Sequence, residues 1–172
     1  MKLTQETLGN YFSLADASTS WYSSPTNTFD FISNNSNTLL VTIGDSWTWG
    51  ADISEHTFNE EYRRDNVYGH VLANLMNADW LNLGLCAQGN FWIASMVKEL
   101  ASVIPKLEYE RIYVICTFTG VLRWFNTKFD QDIDYVNWFK DNIDCKEDFD
   151  KLLSMLNRMC VKTIVESLAP YK

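Results

Sequence analysis

Histidine and proline are scarce in this chain, at two and three among 172 residues. So few prolines mark no linker, and the length suits a single domain able to bury a proper core. His56 and His70 are the only imidazoles. The four cysteines, Cys86, Cys116, Cys145 and Cys160, lie far apart and show no Cys-x-x-Cys spacing. That ligand set is too thin for a zinc site, so neither a metal nor a cofactor is expected. Cys116, inside an apolar run, reads as a small core hydrophobe, and Cys86 as an inert loop thiol. Positive charge is also short, with 14 Lys and Arg against 22 Asp and Glu and a net charge of −8. Phosphate backbones are gripped by clustered basic residues, so no nucleic-acid partner is expected. The one dense basic pair, Arg63-Arg64, is flanked by Glu60, Glu61 and Asp65 and reads as a solvated helix start. No apolar run approaches the roughly 20 residues that cross a bilayer. Residues 1 to 30 are polar and mixed, unlike a signal peptide, so a cytosolic location without a membrane partner is expected.

What the chain does have is apolar and aromatic mass, at 47 % and 15 % of residues, enough for a globular fold. Residues 1–37 are rich in Ser, Thr and Asn. They read as an N-terminal arm, with a short helix around Leu8, Tyr11, Phe12 and Leu14 and an irregular stretch near Pro25. Residues 38–172 read as the α/β domain. Leu39 to Ile43 is a first strand and residues 51 to 66 a polar loop. Apolar positions at Val67, Val71, Leu72, Leu75 and Met76 have the spacing of an amphipathic helix. Trp80 to Leu83 is a second strand, Phe91 to Val103 a helix stopped by Pro105, and Arg111 to Phe118 a third strand. Phe149 to Met159 reads as a helix and Val161 to Val165 as a fourth strand. Strand alternating with helix predicts a mainly parallel sheet with helices on both faces.

The most informative stretch is Leu39-Leu-Val-Thr-Ile-Gly-Asp-Ser-Trp-Thr-Trp-Gly50. A β-branched run that ends in Gly44-Asp45-Ser46 delivers a serine hydroxyl to a sheet edge. Gly44 permits a tight turn, Asp45 can accept from the turn's backbone, and Ser46 sits where free N–H groups can stabilise a negative charge. An ordinary Asp-Ser turn is the competing interpretation.

This run resembles the first block of the SGNH, or GDSL, hydrolase family, in its Gly-Asp-Ser-Trp-Thr-aromatic-Gly form. Asn82-Leu-Gly-Leu-Cys-Ala-Gln-Gly-Asn90 resembles the family's second block. The resemblance covers about residues 38 to 125. It implies a flavodoxin-like three-layer α/β/α sandwich and a serine ester hydrolase, a carbohydrate O-acetylesterase or small esterase. Ser46 would be the nucleophile. The oxyanion would be held by the N–H groups of Ser46 and Ala87, with Gly89 in place of Ala87 if the register slips by two. The family's third block, Gly-x-Asn-Asp, is replaced here by Thr117-Phe-Thr-Gly-Val-Leu-Arg123, so that Thr119 could donate from its hydroxyl. Asn90 is a further polar candidate, or a helix cap. Arg123 could bind a substrate carboxylate or tie down its loop. Asp45, Trp47 and Trp49 would adjoin the substrate, and Trp92 and Trp124 follow the other two blocks, with faces suited to sugar rings or acyl chains.

The family's closing Asp-x-x-His has no counterpart, because no histidine follows His70. Without an imidazole a serine hydroxyl is little activated. His56, in the loop after the nucleophile turn, is one candidate base, and His70 is another that reads better as structural. A partner chain or a segment beyond the Leu168-to-Lys172 end could otherwise supply it. Two further readings stay open. One is a catalytically inactive SGNH-like binding or assembly domain, for instance in a phage particle. The other is a flavodoxin-like phosphate binder, which lacks the Gly-rich loop it needs.

Overall fold

The structure, a computed structural model, describes residues 2–12, 29–51, 53, 59–86, 88–119 and 146–171. The first strands to form contacts in chain order are β1 (Asp30–Ile32) and β2 (Thr38–Ile43). Three helices follow, α1 (Ser46–Trp49), α2 (Glu60–Asn66) and α3 (Tyr68–Met76). Then come β3 (Asp79–Asn82), α4 (Asn90–Val103), β4 (Arg111–Cys116) and α5 (Lys146–Leu168). Short 3-10 turns cover Gln5–Asn10, Ile104–Lys106 and Ala169–Tyr171.

The four strands form one open sheet in the order β1-β3-β2-β4. β2 pairs in parallel with both β3 and β4, whereas β1 runs antiparallel along β3, with Phe31 opposite Leu81. The sheet is therefore mixed, which corrects the expectation of a mainly parallel one. The reason is β1, a three-residue strand from the polar arm. Its carboxylate Asp30 lies opposite Asn82, a pairing that no local hydrophobic run signals.

Alternation along β2 divides the core in two. Leu39, Val41 and Ile43 join Leu81, Ile93, Met96, Val97 and Leu100 on the face covered by α4, with Ile164 and Leu168 of α5 packed behind. Leu40 joins Trp80, Val67 and Ala73 on the face covered by α3. A strand with apolar residues pointing both ways needs helices on both sides, and β2 has them.

Several expectations change at this level. Val161 to Val165 is not a strand but part of the 23-residue helix α5. Its half-buried Ile164 and Leu168 pack on the core at helical spacing, which overrides the strand preference of Val and Ile. The polar loop 51–66 contains helix α2, capped by Asn59, whose side chain accepts from the Tyr62 N–H at 3.0 Å. Helix α3 forms where expected but buries Gly69, His70 and Ala73, leaving Val71, Leu75 and Met76 exposed. Trp80 decides this orientation. A Cβ on Gly69 would lie 2.6 Å from Trp80 Nε1, so only a residue without a side chain fits there.

Candidate functional site

The Gly44-Asp45-Ser46 turn stands at the carboxyl end of β2, the central strand of the three parallel ones. Helix α3 follows β2 on one face and α4 follows β3 on the other. In open α/β sheets the strand ends at such a reversal are the usual ligand position. Gly44 is required by crowding, since a Cβ there would run into the hydroxyls of Thr48 and Thr117. Asp45 is buried and caps α1, accepting the Trp47 N–H at 3.1 Å, so its carboxylate serves the turn. Ser46 opens α1 half-buried, and its carbonyl accepts from Gly50 N at 2.9 Å and Ala51 N at 2.8 Å. Gly50 closes the turn with φ +96°, a left-handed conformation that suits glycine.

The other two blocks come to the same edge. Beyond β3, Leu85 N donates to Gly44 O at 3.2 Å, and Gly84 N donates to Asn82 Oδ1 at 3.0 Å. Gly84 lies so close to α1 that a Cβ would stand 2.7 Å from Trp49 N and 2.8 Å from the Thr48 carbonyl carbon. Beyond β4, Thr117 N donates to Ile43 O at 2.9 Å, and its hydroxyl meets Thr48 Oγ1 at 2.5 Å. Tyr68 OH lies 3.4 Å from Thr48 Oγ1. Burial raises the Tyr68 pKa, against hydrogen bonds from Thr48 and Thr117 that lower it, so this hydroxyl stays protonated at neutral pH and is no base.

Asn90 does not cap α4, whose first turn has Gly89 as N-cap in extended backbone. It is a buried bridge instead. Its Oδ1 accepts the Thr119 N–H at 3.0 Å, and its Nδ2 donates to Thr119 O at 3.3 Å and to Asn157 Oδ1 at 2.9 Å. The amide group thus pins the β4 loop and α5 together. It leaves the Thr119 side-chain hydroxyl without a partner among the described residues. Trp47 is 73 % exposed beside Ser46, whereas Trp49 is buried and faces the protein. His56, Ala87 and Arg123 lie outside the described residues. His70 is committed to structure, with Nδ1 2.7 Å from Arg64 O and its ring stacked on Trp80 at 5.3 Å. Among the described residues, no side chain hydrogen-bonds Ser46 Oγ. Cys86 is buried in the second-block loop.

Sequence reasoning missed the group beneath the turn. Arg63 is not solvated but 3 % exposed. Its guanidinium donates to both carboxylate oxygens of Asp30 at 2.9 Å, to Trp49 O at 2.6 Å and, through Nε, to Glu60 at 2.9 Å. It also lies 4.2 Å over the Trp49 ring. Asn82 completes the network by donating to Asp30 at 3.4 Å. Burial opposes the Arg63 charge, yet Asp30 and Glu60 outweigh it and raise its pKa. Asp30 is 33 residues away in sequence, so neither local pattern nor motif could announce the pair. Comparison with family models, curated proteins and solved structures yields no match for the chain.

Proposed function

We propose that the chain is a serine ester hydrolase of the SGNH type, acting on a small-molecule or carbohydrate ester. The observation that carries the proposal is that the segments after β3 and β4 are tied to the end of β2, at Ile43 and Gly44, immediately before Ser46. Gly44 O accepts from Leu85, Ile43 O accepts from Thr117, and Asn90 grips Thr119. In this reading Ser46 Oγ attacks the ester carbonyl, and the oxyanion is met by the N–H groups of Ser46 and Ala87 and by the Thr119 hydroxyl. Exposed Trp47 offers a face for a sugar ring or acyl group. The same reading takes the two core layers flanking the sheet as a flavodoxin-like α/β/α sandwich.

The proton acceptor must come from outside the described residues, because His70 is held by Arg64 O. His56 is the chain's other histidine and takes that role here, with a partner chain or a further segment as the other sources. That same commitment of His70 favours a second reading, an SGNH-like domain that binds a ligand or assembles without turnover. Intact mass after exposure to a fluorophosphonate ester separates the two. The hydrolase reading expects one adduct, absent in Ser46→Ala and strongly slowed in His56→Ala. A native chain that takes up no adduct sinks the claim that it is an esterase by itself and leaves the binding domain or an enzyme completed by a partner chain or further segment.

A further inference from the structure

We infer that Arg63, clamped by Asp30, is a positioning residue for Ser46. This rests on the hydrolase reading for its consequence, though not for its geometry. Ser46 belongs to a four-residue helix, too short to hold itself in place. Its beginning is fixed by Asp45 and by the β3 loop. Its later half is held by the Thr48 hydroxyl, in contact with Thr117 and Tyr68, and by the Arg63 guanidinium, which alone among the described side chains donates to a backbone carbonyl of the helix, Trp49 O at 2.6 Å. The same guanidinium covers the Trp49 ring at 4.2 Å. Arg63 is itself set by the two-pronged bond to Asp30 on edge strand β1 and by Glu60 one helical turn before it. A planar fork grips both carboxylate oxygens while it donates to a carbonyl in a fixed geometry, which the single ammonium of a lysine does not reproduce. The antiparallel strand that the arm adds to the sheet thus has a purpose at the site. It brings a carboxylate under the nucleophile turn.

The test compares wild type with Arg63→Lys. Because a buried carboxylate left poorly paired can unfold the chain, the test also uses the double variant Asp30→Leu, Arg63→Met, which replaces the pair by apolar groups. Two quantities are read: the rate of Ser46 adduct formation with the fluorophosphonate, and amide hydrogen exchange along the chain. The Gly50 and Ala51 amides report the turn directly, since both donate to Ser46 O. Both variants are expected to slow the adduct by about a hundredfold, the scale of a small misplacement of a reacting group. Gly50 and Ala51 exchange should quicken at least about tenfold while Val41 and Leu81 in the sheet stay protected. Unchanged exchange at Gly50 and Ala51, or acceleration shared equally by Val41 and Leu81, overturns the inference. If wild type itself forms no adduct, the hydrolase reading falls and the exchange pattern alone decides whether Arg63 holds the turn.

Discussion

The two flanks of β2 are built differently. On the β3 side all four residues from Asp79 to Asn82 are buried, and the polar ones are tied into networks. Asp79 Oδ1 accepts the backbone N–H groups of Asn34 at 2.7 Å and Ser36 at 3.1 Å, and Oδ2 accepts the Tyr109 hydroxyl at 2.8 Å. At the other end Asn82, Asp30 and Arg63 support the Ser46 turn. On the β4 side the strand is exposed at Arg111 and at Tyr113, and among the described residues its polar links to the end of β2 and the turn all come from Thr117, to Thr48 and to Ile43 O. Buried polar groups cost stability unless every partner is present, so the β3 flank is fixed and intolerant, and the β4 flank is adjustable. The Ser46 turn has a rigid wall on one side and a soft one on the other.

Gly84→Val tests the rigid wall most severely. Its Cβ would meet backbone atoms of Thr48 and Trp49 rather than a side chain that can swing away. Overpacking of that kind should cost about 3 kcal/mol, read from urea unfolding at constant m. Asp79→Ala should follow at about 2 to 3 kcal/mol, because it strands two N–H groups that a charged acceptor now satisfies. A loss below about 1 kcal/mol in either variant would erase the contrast between the flanks.

A pH signature spans the two flanks, through Cys116 on β4 and the Tyr109 hydroxyl on Asp79. Burial pushes the Cys116 thiol up to about 11. Burial, with Asp79 beside it, raises the Tyr109 hydroxyl above its ordinary value. Both groups are neutral in the fold and have raised pKa values, so their contribution is complete below the unfolded pKa values and fades as pH rises through the folded ones. Stability should hold from pH 7 to about 8.5 and decline towards pH 11. The decline should be smaller in Cys116→Ala and smaller again when Tyr109→Phe is added. A flat profile in wild type between pH 8.5 and 11 would contradict the burial of both groups. Thr117→Val, which removes the contact to Thr48, should cost only about 1 kcal/mol.

These differences also mark what a reader of the sequence could see. Strands β2, β3 and β4 and helix α4 were legible because each carries its own apolar period, and Pro105 closes α4, whereas α3 was legible in its extent but not in its face, since Val71, Leu75 and Met76 are exposed. The Gly44-Asp45-Ser46 turn at the end of β2 was legible because a β-branched run stops there at a glycine. Edge strand β1 was not, since three residues in a polar arm gain their meaning from Asn82, far along the chain. Arg63 was read as solvated because its neighbours Glu60, Glu61, Arg64 and Asp65 are charged, while its true partner is Asp30. Val161 to Val165 looked like a strand because β-branched residues prefer one, yet contacts with the core at helical spacing overrule that preference.

The smallest effect belongs to the outer face of β4. Tyr113 is 47 % exposed and stands opposite Leu40 in the parallel pairing of β2 and β4. Thr keeps the β-branched preference for an extended chain, so Tyr113→Thr gives up only ring contacts that are already half in water. Its cost should stay within about 0.5 kcal/mol, in the range of ordinary surface substitutions. The inward-facing residues of the rigid flank provide the control. Leu81→Ala on β3, where the side chain is fully buried, should lose about 3 kcal/mol. Equal losses at Tyr113 and Leu81 would mean that the outer face of β4 is covered in solution as thoroughly as β3. The soft flank would then be an interface and no longer the adjustable side of the turn.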